Sequence, residues 1–229
     1  MRPESDAGPL ILLGGTFDPV HNGHLRTAVE LFQAFSGHAE VAMMPAAQHR
    51  LREQEAASPD DRLAMLKLAV SHEPGLLVEP LELERGGTTF TVETLEIVRQ
   101  RVGAQRSLIF VMGWDAWQSL PKWHRWLEIV QLAHIIVVSR PQAATAVTPE
   151  CGEALQANRT DLIEDLISTS HGKVLFLTLT QLEISSTRIR SLLKQGLSPR
   201  YLLPDSVLAY IEKHQLYRAR NRGSDHQLY

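Results

Sequence analysis

Short apolar runs recur along the chain at residues 10–13, 41–44, 76–78, 108–112, 135–138 and 174–177, and amphipathic stretches lie between most of them. Runs of this length suit strands buried on both faces, and their alternation with helical patterns predicts a parallel sheet covered by helices. The expected architecture is therefore α/β, a Rossmann-like, doubly wound parallel sheet. After the first run, Leu25, Ala28, Val29 and Phe32 form the stripe of a helix that begins at Asn22 or Gly23. Ser58 provides an N-cap, Pro59 a first helical residue, and Asp60 and Asp61 an acidic first turn before RLAMLKLAV. Two more helices are predicted over 91–102, with Val92, Leu95, Ile97 and Val98 inward, and over 204–214, with Val207, Leu208 and Ile211 inward. Residues 141–158 are alanine-rich and weakly patterned, which predicts a loop and then a surface helix from about Pro149. The ends, 1–9 and 218–229, lack apolar periodicity and are expected to be flexible. One domain over residues 10–217 remains.

The most informative join lies where the first apolar run meets Gly14-Gly15 and continues through TFDPVHNGH. Glycine permits close backbone approach, Pro19 restricts the turn, and His21 and His24 fall at a helix start. There the backbone N–H groups and the positive end of the helix dipole converge, and imidazole donors beside them suit a polyphosphate. Such a turn lies beyond the carboxyl end of a strand, where open α/β sheets bind ligands. A plain strand-to-helix turn with exposed histidines is the alternative. A zinc site is weaker, because no third ligand follows at a recognisable spacing.

Composition narrows the picture further. The formal charge of −3 gives no general attraction to nucleic acid. Cys151 is the single cysteine, which excludes an internal disulfide and fits a reducing cytoplasm. No apolar run approaches the roughly 18 residues of a membrane span, and the polar start MRPESDAGP does not read as a signal peptide. A cytoplasmic protein without membrane or nucleic-acid partners is expected.

GGTFDPVHNGHL resembles the signature of the nucleotidyltransferase superfamily, with His21, Asn22, Gly23 and His24 matching its HxGH element. A second superfamily signature, ISSTxIR, resembles residues 184–190. On physical grounds this segment offers hydroxyls to cap a helix beginning near Thr187, and an Arg190 reaching outward as a fixed cation. Residues 82–95 and 108–141, with GGTTFTVETL and GWDAWQSLPKWHRW, resemble the nicotinate mononucleotide adenylyltransferase family. With both signatures, the resemblance spans nearly all of residues 10–217.

That resemblance implies transfer of AMP from ATP to nicotinate mononucleotide by direct displacement at the α-phosphorus, without a covalent intermediate. His21, His24 and Arg190 are the implied catalytic residues, and Gly15, Thr16, Phe17, Gly113, Asp115, Ser186 and Thr187 complete the ATP site. Thr91 and Trp123 are implied to hold the pyridine and its carboxylate, the indole stacking on a cationic ring. The other tryptophans, Trp114, Trp117 and Trp126, are read as packing, with Trp114 also placed to line the adenosine side. His49 and Arg50 can meet the mononucleotide phosphate, although the family's two prolines are replaced here by Pro45-Ala46-Ala47-Gln48. Mg2+ is expected with ATP, and Asp18 is either a water-mediated partner of it or a structural residue of the turn. No carboxylate cage for a metal is visible. Competing readings are a pantetheine-phosphate adenylyltransferase, which shares the first signature, and a nucleotide-binding regulator without turnover. The absence of GxGxxG argues against a dehydrogenase. Oligomeric state is left open, including a homo-oligomer.

Overall fold

All six apolar runs become strands of one parallel sheet. The structure is a computed structural model and describes residues 8–47, 57–139 and 149–218. The strands are β1 (Leu10–Gly15), β2 (Glu40–Pro45), β3 (Leu76–Val78), β4 (Leu108–Gly113), β5 (His134–Ser139), β6 (Arg159–Thr160) and β7 (Val174–Thr178), in the order β3-β2-β1-β4-β5-β7-β6. β6, two residues long, carries no period that sequence could reveal. β1 lies inside the sheet, pairing Leu10 with Glu40 of β2 on one side and with Leu108 of β4 on the other.

Strand alternation splits the core into two layers. Ile11, Met43, Ile109 and Ile136 face one side, while Leu12, Met44, Phe110 and Val137 face the other. The first side is covered by α1 (Asn22–Ala34), α2 (Pro59–Val70), α8 (Ile163–Ser168), α9 (Ser186–Lys194) and α10 (Asp205–Lys213), through Leu31, Met65, Leu166, Ile189 and Leu208. The second is covered by α4 (Thr91–Val102), α5 (Trp114–Ser119), α6 (Trp126–Leu132) and α7 (Pro149–Leu155), through Leu95, Trp117, Ile129 and Leu155. A short α3 (Leu81–Arg85) precedes α4.

Local chemistry accounts for the boundaries. Ser58 accepts a hydrogen bond from the Asp61 N–H at 3.1 Å, capping α2 as its sequence predicts. The helix expected near Thr187 begins at Ser186, because Ser185 takes the cap by accepting from the Arg188 N–H at 3.3 Å. Gly8 and Pro9, within the segment expected to be flexible, are tied to the fold. The Gly8 carbonyl accepts from Arg106 and the Pro9 carbonyl from the Glu40 N–H, both at 2.9 Å. The rest of that segment, the loop expected from 141 and the tail beyond Arg218 lie outside the described residues. No helix among the described residues is long and apolar enough to cross a membrane.

Candidate active site

The site is built at the carboxyl ends of β1 and β4, where the strand order reverses and an open α/β sheet leaves a crevice. Leaving β1, the chain folds Phe17 into the core at 2% exposure with a positive φ of 50°. Gly15 is required there, since a Cβ would meet Phe17 ring carbons at 2.7 and 2.8 Å. The peptide between Thr16 and Phe17 is fixed by a residue that the motifs do not announce. Arg62 of α2, 1% exposed, donates through Nη1 to the Thr16 carbonyl at 2.8 Å and to the Ala46 carbonyl at 2.9 Å. In a trans peptide the N–H opposes the C=O, so holding the Thr16 carbonyl on Arg62 turns the Phe17 N–H the other way.

His21 is the N-cap of α1 and His24 sits in its first turn. Their rings stack, and the Phe17 ring meets His24 edge-on with centroids 4.9 Å apart. Gly23 makes this approach possible, as a Cβ would lie 3.0 Å from His21 Nδ1. Burial lowers the His21 pKa to about 4, and burial together with the charge of His21 lowers that of His24 to about 3. Both are thus neutral donors near pH 7. The Nδ1 atom of each ring is buried without a hydrogen-bond partner. The helix start itself offers fewer free N–H groups than its sequence suggests, because those of Asn22 and His24 already donate to the Leu202 and His21 carbonyls at 2.9 Å.

The second signature docks on the same turn. Ser186 donates to the Pro19 carbonyl at 2.9 Å, and Arg190 Nη1 donates to the Asp18 carbonyl at 2.6 Å. Arg190 therefore turns inward onto Asp18 instead of reaching freely outward, with Nη2 3.4 Å from the exposed Thr187 hydroxyl. Asp18 is 3% exposed, and its carboxylate lies 3.8 Å from Arg190 and accepts from the Tyr217 hydroxyl at 2.7 Å. It is a structural residue of the turn. Among the described residues no three His, Cys, Asp or Glu side chains cluster as metal ligands.

On the other face of the sheet, Thr91 opens α4 and Trp123 precedes α6. Both are partly buried, and Trp123 lies edge-on to Phe110 with centroids 6.4 Å apart. Gly113 ends β4 beneath open space: a Cβ there would meet nothing within 4 Å. Asp115, exposed, stands in the first turn of α5. Trp117 is fully packed against Phe176, and Trp114 and Trp126 also pack against this core. His49 and Arg50 lie outside the described residues.

Arg62 and Tyr217 are the residues that sequence reasoning missed. Arg62 sits inside a helix whose apolar and polar residues show no marked segregation, and Tyr217 lies 199 positions from its partner Asp18, so neither carries a local signal.

A family model for cytidylyltransferase-like proteins matches residues 12–192. A protein of Hahella chejuensis named "Probable nicotinate-nucleotide adenylyltransferase" is 53% identical over 213 residues, covering 93% of this chain and 97% of its own length. The chain belongs to the nicotinate-nucleotide adenylyltransferase family. A protein of the same printed name from Pseudomonas putida strain W619 is 45% identical, covering 92% of this chain and 95% of its own. The fold also matches the solved Plasmodium falciparum nicotinic acid mononucleotide adenylyltransferase complexed with NaAD, with TM-score 0.67 at 15% identity over 92% of this chain and 97% of that one. The same Plasmodium enzyme complexed with APC gives 0.64. At that identity the likeness is one of fold, and it bears out the Rossmann-like α/β reading of this nucleotidyltransferase family member.

Proposed function

We propose that this protein transfers the adenylyl group of ATP to nicotinate mononucleotide, giving nicotinate adenine dinucleotide and pyrophosphate in NAD biosynthesis in the cytoplasm. A phosphate oxygen of the mononucleotide attacks the α-phosphorus in line. The bond to the bridging oxygen of the β-phosphate breaks, and pyrophosphate leaves. No protein nucleophile is needed, so the protein's work is alignment and stabilisation of the charge on the transferring phosphoryl.

One observation carries this reading. The start of α1 with its His21–His24 pair and the start of α9 with Ser186 and Arg190 meet on the Asp18-Pro19 turn. Two helix N-termini and a guanidinium then flank one crevice, which suits a triphosphate gripped from two sides. In this reading neutral His21 and His24 donate hydrogen bonds to the reacting phosphate, Arg190 supplies the positive charge, and Gly15, Thr16, Phe17, Ser186 and Thr187 line the polyphosphate. Gly113 leaves room for the adenosine and Asp115 accepts from its ribose. Thr91 and Trp123 receive the pyridine and its carboxylate, while His49 and Arg50 meet the mononucleotide phosphate.

Magnesium enters as part of the nucleotide substrate. Among the described residues the side chains do not fit a protein-held metal, since Asp18 is committed to Tyr217 and Arg190. The test is pyrophosphate release from ATP and magnesium with nicotinate mononucleotide, nicotinamide mononucleotide or phosphopantetheine supplied in parallel. Release with nicotinate mononucleotide is the expected result. Release only with phosphopantetheine would replace the acceptor, and release with none would favour a nucleotide-binding regulator.

A further inference from the structure

Beyond α10 the chain does not simply run off the domain. Tyr210 of that helix donates to Asp61 Oδ1 of α2 at 2.9 Å, anchoring the segment, and Tyr217 then turns inward until 4% of it is exposed. It does so with a positive φ of 63°, a conformation that strains a non-glycine residue and persists only where its surroundings compensate. The compensation here includes a buried, charge-assisted bond from the phenol to Asp18.

Asp18 links Tyr217 to Arg190. One carboxylate oxygen accepts from Tyr217, the other faces Arg190 Nη1, and the Asp18 carbonyl accepts from the same Nη1. We propose that Tyr217 is a positioning residue for Arg190, its hydroxyl orienting the Asp18 carboxylate that steadies the guanidinium beside the phosphate site. The inference rests on the phosphate-binding role assigned above to Arg190. Without the phenol, a buried carboxylate loses the hydrogen bond that orients its Oδ1. Arg190 then keeps the Asp18 carbonyl and the long contact to the Thr187 hydroxyl but loses an oriented carboxylate. Burial and the neighbouring Asp18 push the Tyr217 phenol well above its ordinary pKa, so it remains a donor throughout the working range.

A residue that only closed the fold would act on melting temperature and add independently to any effect at the site. A positioning residue acts through Arg190. The experiment is a double-mutant cycle on the full chain with Tyr217→Phe, Arg190→Ala and the pair. It measures Mg-ATP binding by calorimetry without acceptor, and the KM for ATP and for nicotinate mononucleotide in turnover. Tyr217→Phe is expected to weaken ATP binding about tenfold, equivalent to about 1.4 kcal/mol, while the KM for the mononucleotide stays within twofold. In the Arg190→Ala background the same change is expected to have less than a twofold effect.

Wild-type ATP binding in Tyr217→Phe, with Arg190→Ala impaired, would overturn the Tyr217 role alone. Equal factors in both backgrounds would also overturn it. Unchanged binding in Arg190→Ala would remove the phosphate role of Arg190, and this inference with it. Should Tyr217→Phe fail to fold, Asp18→Asn enters the same cycle. Asn still accepts from Tyr217 but no longer pairs with the guanidinium, so its loss of ATP affinity must likewise vanish in the Arg190→Ala background.

Discussion

The imidazole rings of His21 and His24 stack 3.6 Å apart at 18° from parallel. Two imidazolium ions would repel each other in that arrangement, so it favours neutral rings. With pKa values lowered to about 4 and about 3, neither should titrate between pH 7.5 and 5.5 in the free protein, as ring-nitrogen NMR shifts would report. An ordinary midpoint near 6.5 for either would refute the neutral pair. His24→Ala should lower kcat by about 10²–10³, the loss typical of a donor to a transition-state oxyanion. Its melting temperature should stay within a few degrees of wild type, because the helix that carries it is held by Ala28 and Leu31.

The two glycines at the strand ends should respond differently to alanine. Gly15→Ala forces a Cβ into the Phe17 ring, which in turn contacts His24, and should cost about 1–3 kcal/mol of stability together with activity. Gly113→Ala meets open space, so its melting curve should move by less than about 1 kcal/mol. If the adenosine occupies that space, the KM for ATP should nonetheless rise about tenfold. Thermal melts beside ATP kinetics separate the two cases, and an unchanged KM in Gly113→Ala would move the adenosine elsewhere.

The fold was legible because burial on both faces leaves a distinct mark: every strand longer than two residues was a visible apolar run. The helices α5, α6 and α8 were not, being only six or seven residues long and too short to show a period. At the site, His21, His24, Ser186 and Arg190 were legible as motif residues, but the way they meet was not. Ser186 reaches Pro19 across 167 positions and Arg190 reaches Asp18 across 172, distances at which one sequence carries no pairing signal. Arg190 was therefore expected to point outward, whereas the buried carboxylate of Asp18 draws it in.

Arg62 separates stability from positioning. Methionine at this position keeps most of the buried stem but releases the Thr16 and Ala46 carbonyls, and with them the orientation of the Phe17 N–H. It also removes a guanidinium whose Nε and Nη2 atoms have no partner, which offsets part of the lost bonding. Arg62→Met should thus melt within a few degrees of wild type while kcat/KM for ATP falls by about 10–10², the scale expected when a phosphate donor is misplaced. Wild-type kinetics in Arg62→Met would show that the Thr16–Phe17 peptide holds its orientation unaided.

His134 makes stability depend on pH away from the site. Fully buried, its Nε2 lies 2.9 Å from the Thr169 carbonyl, and its Nδ1 accepts from the Lys173 N–H at 3.1 Å. The proton therefore belongs on Nε2, and a second proton on Nδ1 would confront an N–H donor. Burial, the main cause, and the nearby charges of His171, Arg99 and Lys173 lower the pKa from 6.5 to about 4. Below pH 6.5 the unfolded chain binds this proton and the folded chain does not, so stability present above 6.5 is lost as pH falls toward 4. At 1.36 kcal/mol per unit, the loss from this residue between pH 7.5 and 5 is about 2 kcal/mol. His21 and His24 act in the same direction, so the residue must be isolated by substitution. Urea unfolding of wild type and His134→Gln at both pH values should show the variant less stable at pH 7.5 but losing about 2 kcal/mol less on acidification. Parallel losses in the two proteins would show that His134 is protonated in the folded state as readily as in the unfolded one.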